Sequence, residues 1–77
     1  MGETLNRKGM KQTPIKYNEL SDYPEKLGRY YMISFIMMDH IFKETKIFQY
    51  KYNLNNFITK NSKQFSSSRL WVLDEEE

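Results

Sequence analysis

The sequence predicts a small, mostly helical single domain, and two observations carry this prediction. A capped helix start lies at residues 21–25, and a long segment with apolar residues at helical spacing follows it. A chain of 77 residues allows one domain at most. We expect a flexible basic arm over residues 1–13, the domain over residues 14–73 and an acidic tail over residues 74–77.

The first predicted element is a long helix from about residue 23 to about residue 46. Asp22 is a suitable N-cap, and Glu25, three residues later, completes a pair resembling a capping box. Pro24 fits the first turn, where its missing N–H has no helical partner to lose. These three residues predict where the helix begins.

The apolar pattern of this helix differs between its two halves. In the second half, Asp39, Lys43 and Lys46 gather opposite the apolar residues, which is typical of an amphipathic helix. In the first half, Met32 and Ile36 place apolar surface on both sides. Such a helix is either central in the fold or covered by a partner.

A shorter second helix is predicted from about residue 54 to about residue 64. Residues 47–53 stay undecided, because their alternation of apolar and polar residues fits a strand while their wider spacing fits a helix. The alternative architecture is α+β, with short strands near residues 48–54 and 69–73 that pack on the helix.

The C-terminal segment combines a hydrophobic cluster with acids. Residues 66–68 are three serines, which predict a linker, and the cluster around Trp71 is followed by four acidic residues. Tryptophan buries much area at low entropic cost, which favours it at interfaces. The cluster either packs back onto the domain or docks to a partner. The candidate partner-binding residues are Met32, Ile33, Ile36, Leu70, Trp71 and Leu73.

A second surface could bind nucleic acid. From residue 45 to residue 73 the chain has five basic residues and no acid, interleaved with aromatic residues. Basic groups neutralise phosphates, and exposed rings stack on unpaired bases. If residues 48–54 form a strand, Phe48, Tyr50 and Tyr52 share one face, either as a stacking platform or as core. The candidate nucleic-acid-binding residues are Lys46, Tyr50, Lys51, Tyr52, Lys60, Lys63 and Arg69.

Catalysis and cofactor binding find no support in the sequence. There is no cysteine, no glycine-rich phosphate loop and no nucleophile motif. The single histidine, His40, lies four residues before Glu44, but a metal site needs three or four ligands. We therefore expect neither an enzyme nor a metal or cofactor site.

Composition indicates the setting of the protein. Alanine is absent and lysine, asparagine, isoleucine, tyrosine and phenylalanine are frequent, which is typical of A/T-rich coding sequence and favours a phage or viral origin. No apolar stretch reaches the 20 or so residues that span a bilayer, and no secretory signal is recognisable. We expect an intracellular, cytoplasmic protein, in the host cytoplasm if it is viral.

Together these features predict a small non-enzymatic protein–protein interaction module that binds and modulates a host protein. Its partner is another protein, as a target or in an assembly, or a second copy of the chain in a homo-oligomer. The alternative is a small nucleic-acid-binding regulator that uses the basic–aromatic stretch over residues 46–69.

Overall fold

The computed structural model describes residues 9–76 and shows a four-stranded antiparallel sheet with one α-helix packed on one face. The prediction of a mostly helical domain is therefore wrong. The strand order is β1-β4-β2-β3, and every neighbouring pair is antiparallel. The elements are β1 (Met10–Ile15), β2 (Arg29–Met37), β3 (Glu44–Phe48), α1 (Lys51–Asn61) and β4 (Phe65–Glu75), with 3-10 segments at Tyr17–Asp22 and Ser62–Gln64.

Strands β2 and β3 replace the long helix predicted over residues 23–46. Strand β2 is a central strand, because β4 and β3 pair with its two edges. Successive residues of a strand point to opposite faces, so a strand with apolar neighbours on both faces is apolar at nearly every position. This segment is therefore apolar on all sides because it is a central strand, and not because it is a helix surrounded by other elements.

The predicted helix start forms a connection instead. The 3-10 segment Tyr17–Asp22 ends where the predicted cap lies, and Glu25 caps a different element. Its Oε2 atom accepts a hydrogen bond of 2.8 Å from the backbone N–H of Lys51, at the first residue of α1. Gly28 is the last residue of the turn into β2 and has a φ of +82°, a conformation that favours glycine.

Helix α1 begins three residues earlier than the predicted second helix and ends three residues earlier. Leu54 and Ile58 are buried and lie four residues apart, so both point from the same side of the helix onto the sheet. The undecided segment over residues 47–53 is divided, since β3 ends at Phe48 and α1 begins at Lys51.

The C-terminal segment forms β4, the longest strand, which lies between β1 and β2. The predicted serine linker over residues 66–68 is part of this strand, and so are residues 69–73. Asp74, from the predicted acidic tail, accepts a hydrogen bond of 2.7 Å from Nε of Arg29, which lies opposite it in the register. This bond raises the pKa of Arg29 above its ordinary value.

Residues 1–8 of the predicted arm and Glu77 lie outside the described residues, whereas Met10–Ile15 form β1. The core lies between the sheet and α1, with Tyr31, Leu54 and Val72 fully buried. An aromatic group extends it towards β3, where the ring centroids of Phe35 and Phe57 lie 5.3 Å apart. The core members are Ile15, Leu20, Tyr31, Ile33, Phe35, Leu54, Ile58, Leu70 and Val72.

Candidate functional site

The face of the sheet opposite α1 carries no covering element among residues 9–76. We call it the open face. Directly paired residues of antiparallel strands point to the same side, so the register assigns its members. They are Met10, Gln12 and Pro14 of β1, Tyr30, Met32, Ser34 and Ile36 of β2, Thr45 and Ile47 of β3, and Ser67, Arg69, Trp71, Leu73 and Glu75 of β4.

An apolar row crosses the open face from one edge to the other. Ile47 is paired with Met32, Met32 with Trp71, and Trp71 with Pro14. Neighbouring strands lie about 4.8 Å apart, so the row is roughly 15 Å long. Ile47 is 57% exposed, and Met32 and Trp71 are half-buried. The row is therefore a continuous apolar surface in contact with solvent.

Polar and basic groups border this row on one side. Lys43, Ile36, Arg69 and Trp71 line one shallow depression. The Oγ of Ser34 and the Oγ1 of Thr45 lie 3.1 Å apart and share a hydrogen bond. The two basic side chains give this end of the open face a positive charge.

Four of the six predicted partner-binding residues share the open face. Met32, Ile36 and Trp71 are half-buried there, and Leu73 is 6% exposed. Ile33 and Leu70 point to the other side, where they are 1% and 6% exposed in the core. The structure thus brings four of the candidates onto one face, where Leu73 is buried and the other three are partly exposed, and it places the remaining two in the core.

Sequence reasoning did not find Tyr30, Lys43 and Ile47 as members of this surface. The helical interpretation places Lys43 on the polar side of the long helix and leaves Ile47 in the undecided segment over residues 47–53. Residues 30–36 are apolar at every position except Ser34, so only the strand geometry, in which alternate residues share a face, groups Tyr30 with Met32 and Ile36. The pairing of β3 with β2, which no local pattern reveals, adds Ile47.

The predicted nucleic-acid-binding residues are dispersed. Arg69 lies on the open face, whereas Lys46 lies on the helix side of β3, with its Nζ 5.8 Å from the Phe57 ring centroid. Lys60 lies in the last turn of α1, and Lys63 lies in the 3-10 segment beyond it.

Phe48, Tyr50 and Tyr52, which would share one face if residues 48–54 formed a strand, do not form a stacking platform. Phe48 is half-buried against Phe57, with 5.7 Å between ring centroids. Tyr50 and Tyr52 lie at the start of α1, 46% and 59% exposed, with their centroids 6.0 Å apart. Lys51 beside them directs its Nζ to the carbonyl of Leu20 at 3.1 Å. These residues therefore present one exposed tyrosine pair and not a row of three rings.

The described residues contain no group of three or more His, Cys, Asp or Glu side chains that could hold a metal ion. His40 Nδ1 lies 3.8 Å from Glu44 Oε2, and both side chains are about half exposed. Every buried side-chain nitrogen or oxygen within residues 9–76 has a hydrogen-bond partner.

A wider groove lies on the helix side of the sheet, beside the C-terminal end of α1. Its floor is formed by Ile15, Ile33, Ile58 and Leu70, none of which is more than 9% exposed. Tyr17, which is 53% exposed, also lines this groove. The open face differs from it in carrying an apolar row that crosses all four strands.

Comparison of the chain with protein-family models, with curated proteins and with solved structures gives no match. Within the described residues, no helix is long and apolar enough to cross a membrane.

Proposed function

We propose that this protein is a small non-enzymatic interaction module that binds another protein through the open face of its sheet. The apolar row Ile47–Met32–Trp71–Pro14 is the observation that supports the proposal. A sheet of a small domain ordinarily leaves its solvent face polar, because apolar area in water costs about 25 cal/mol per Å². An apolar row across all four strands is accounted for by a partner that covers it.

The residue types of the row favour a protein partner. Trp71 lies on β4 and Met32 lies opposite it on β2, and these are the two central strands of the sheet. A rigid ring and an adaptable thioether therefore occupy the centre of the surface. Tryptophan dominates binding energy at the centres of interfaces, and methionine adapts to irregular partners. Serine, threonine and glutamine around the row provide a polar rim.

The charges of the open face define the complementary surface of the partner. Lys43 and Arg69 border the row on one side, next to Ile36. A carboxylate in an apolar partner surface would pair with them and fix its orientation. The partner therefore presents apolar anchors flanked by at least one acidic side chain.

The A/T-rich coding composition supports a phage or viral origin for this module. The partner is then a protein of the host, whose activity the module inhibits or redirects.

The proposal is tested by affinity capture with the tagged full chain, from lysate of cells that naturally contain it. The capture is run with and without nuclease at two salt concentrations. We expect one protein to be retained in stoichiometric amount after nuclease treatment and at high salt. Ile47→Ser and Met32→Ser should each remove it, because both substitutions interrupt the apolar row.

Tyr52→Ser is the matched control, since Tyr52 is 59% exposed, against 57% for Ile47, and lies on α1, away from the open face. Circular dichroism confirms that all variants fold. Equal retention by Ile47→Ser and Tyr52→Ser would place the binding surface elsewhere. Recovery of nucleic acid alone, lost at the higher salt, would favour the nucleic-acid-binding regulator instead.

A further inference from the structure

The two edge strands of the sheet differ in how they are protected. An edge strand exposes unpaired N–H and C=O groups that can pair with another strand. In β1, Pro14 has no N–H to offer, which is a common protection of an edge. β3 contains no proline, and its residues from Glu44 to Ile47 are all exposed. The β3 edge is therefore the one that can accept a further strand.

Charged and uncharged side chains alternate along β3 from Glu44 to Ile47. Thr45 and Ile47 point to the open face, whereas Glu44 and Lys46 point to the helix side, opposite Phe35 and Ile33. One acid and one base are thus two positions apart on the same face of a strand whose outer edge is unpaired within residues 9–76. Such a pattern is complementary to itself when the strand is reversed.

We infer that β3 pairs antiparallel with β3 of a second copy of this chain, about a two-fold axis at Thr45. In this register Glu44 of each copy lies directly opposite Lys46 of the other, so two opposite-charge pairs form across the axis. Directly opposed charges of opposite sign stabilise a strand pair, and like charges destabilise it. An axis at Glu44 or at Lys46 would oppose two carboxylates or two ammonium groups, which excludes both neighbouring registers.

The same register covers exposed apolar groups beside β3. It places Ile47 opposite Lys43 of the second copy, whose aliphatic stem can cover it. If the same register continues beyond the strand, Phe42 lies opposite Phe48 of the second copy. Phe42 is 74% exposed and Phe48 is half-buried. The product is a continuous eight-stranded sheet with two open faces side by side. This dimer goes beyond the proposed function, because it forms without the protein that binds the open face.

The test is a charge exchange on the full chain, measured by analytical ultracentrifugation over a range of protein concentrations. The wild type should form a dimer of twice 9.4 kDa. Glu44→Lys and Lys46→Glu each oppose like charges twice, so each should weaken dimerisation about tenfold or more. The double variant Glu44→Lys/Lys46→Glu restores both pairs in reversed order and should recover the wild-type affinity.

Lys60→Glu is the control for net charge, because Lys60 is exposed on α1, and it should leave the dimer unchanged. Circular dichroism establishes that each variant is folded. A wild type that stays monomeric up to millimolar concentration overturns the inference. So does a dimer that both single reversals leave intact, or one that the double variant fails to restore. None of these outcomes depends on the partner of the open face.

Discussion

Tyr31 combines a fully buried ring with a satisfied hydroxyl group. Its side chain has no exposed surface, and its hydroxyl donates a hydrogen bond of 2.9 Å to the carbonyl of Tyr23. Burial raises the pKa of Tyr31 above 10, because the phenolate would lose its hydration, although the charge of Arg29 acts in the opposite direction. The folded state therefore requires the neutral hydroxyl.

This requirement makes stability depend on pH in the alkaline range. Below pH 10 the hydroxyl of Tyr31 is neutral in both states, and its full contribution is present. Above pH 10 the unfolded state releases this proton first, so the free energy of unfolding falls as pH rises through the folded pKa. We expect Tyr31→Phe to lower stability by about 1 kcal/mol at pH 7, through the lost hydrogen bond, and to make the alkaline decline shallower.

Urea unfolding at pH 7 and at several values above 10 measures both effects. Tyr52→Phe provides a control at pH 7, since Tyr52 is well exposed and should leave the stability unchanged. An alkaline decline of equal slope in the wild type and in Tyr31→Phe would show that Tyr31 does not control it.

At the scale of elements, α1 is held by a small number of contacts. It has only 11 residues, four of them asparagine, and such a helix is marginal without tertiary packing. Leu54 is fully buried and Ile58 is 8% exposed, and with the partly buried Phe57, which packs against Phe35, they anchor it to the sheet. Glu25 adds a hydrogen bond to the N-terminal amide of the helix.

We expect Leu54→Ala to lower the free energy of unfolding by about 2–5 kcal/mol, because it leaves a cavity between α1 and the sheet. Asn55→Ala, at the exposed neighbouring position, should have little effect or stabilise slightly through helix propensity. Chemical denaturation of both variants measures the difference. Equal stability of the two variants would mean that Leu54 does not anchor the helix.

The elements also show how far sequence patterns reach. The sequence predicts that the first half of the long helix is either central in the fold or covered by a partner, and this segment is central, but as strand β2. An apolar period of 3.6 cannot be separated from a strand with two apolar faces over so short a segment. The predicted helix start at residues 21–25 is wrong because Glu25 does not begin a helix there. Its carboxylate instead accepts a hydrogen bond from the first residue of α1.

The candidate site depends even more on tertiary pairing. Residue type alone predicts Trp71 and Met32 as interface residues, but their contact arises because β4 pairs with β2, some 40 residues earlier in the chain. Ile33 and Leu70 were included for the same apolar character, and only the register shows that they face α1. Local patterns thus identify interface-forming residue types, while strand pairing decides which face each residue occupies.

At the scale of the whole molecule, the sheet has two different sides. One side holds the core under α1, and the other presents the apolar row bordered by Lys43 and Arg69. A small domain has little stability to spare, so an uncovered apolar surface of this kind favours a molecule that works bound to a partner. This division of the sheet supports the proposed binding role.

Site-specific photo-crosslinking tests the role of the open face most directly. A photoreactive phenylalanine analogue is placed at Ile47 or Trp71 of the open face, or at the exposed Asn56 of α1 as a control. After irradiation in lysate of cells that naturally contain the protein, we expect both open-face positions to crosslink to the same protein and Asn56 to give none. Crosslinks from Asn56 equal to those from Ile47, or crosslinks to nucleic acid alone, would contradict the assignment of the open face as a protein-binding surface.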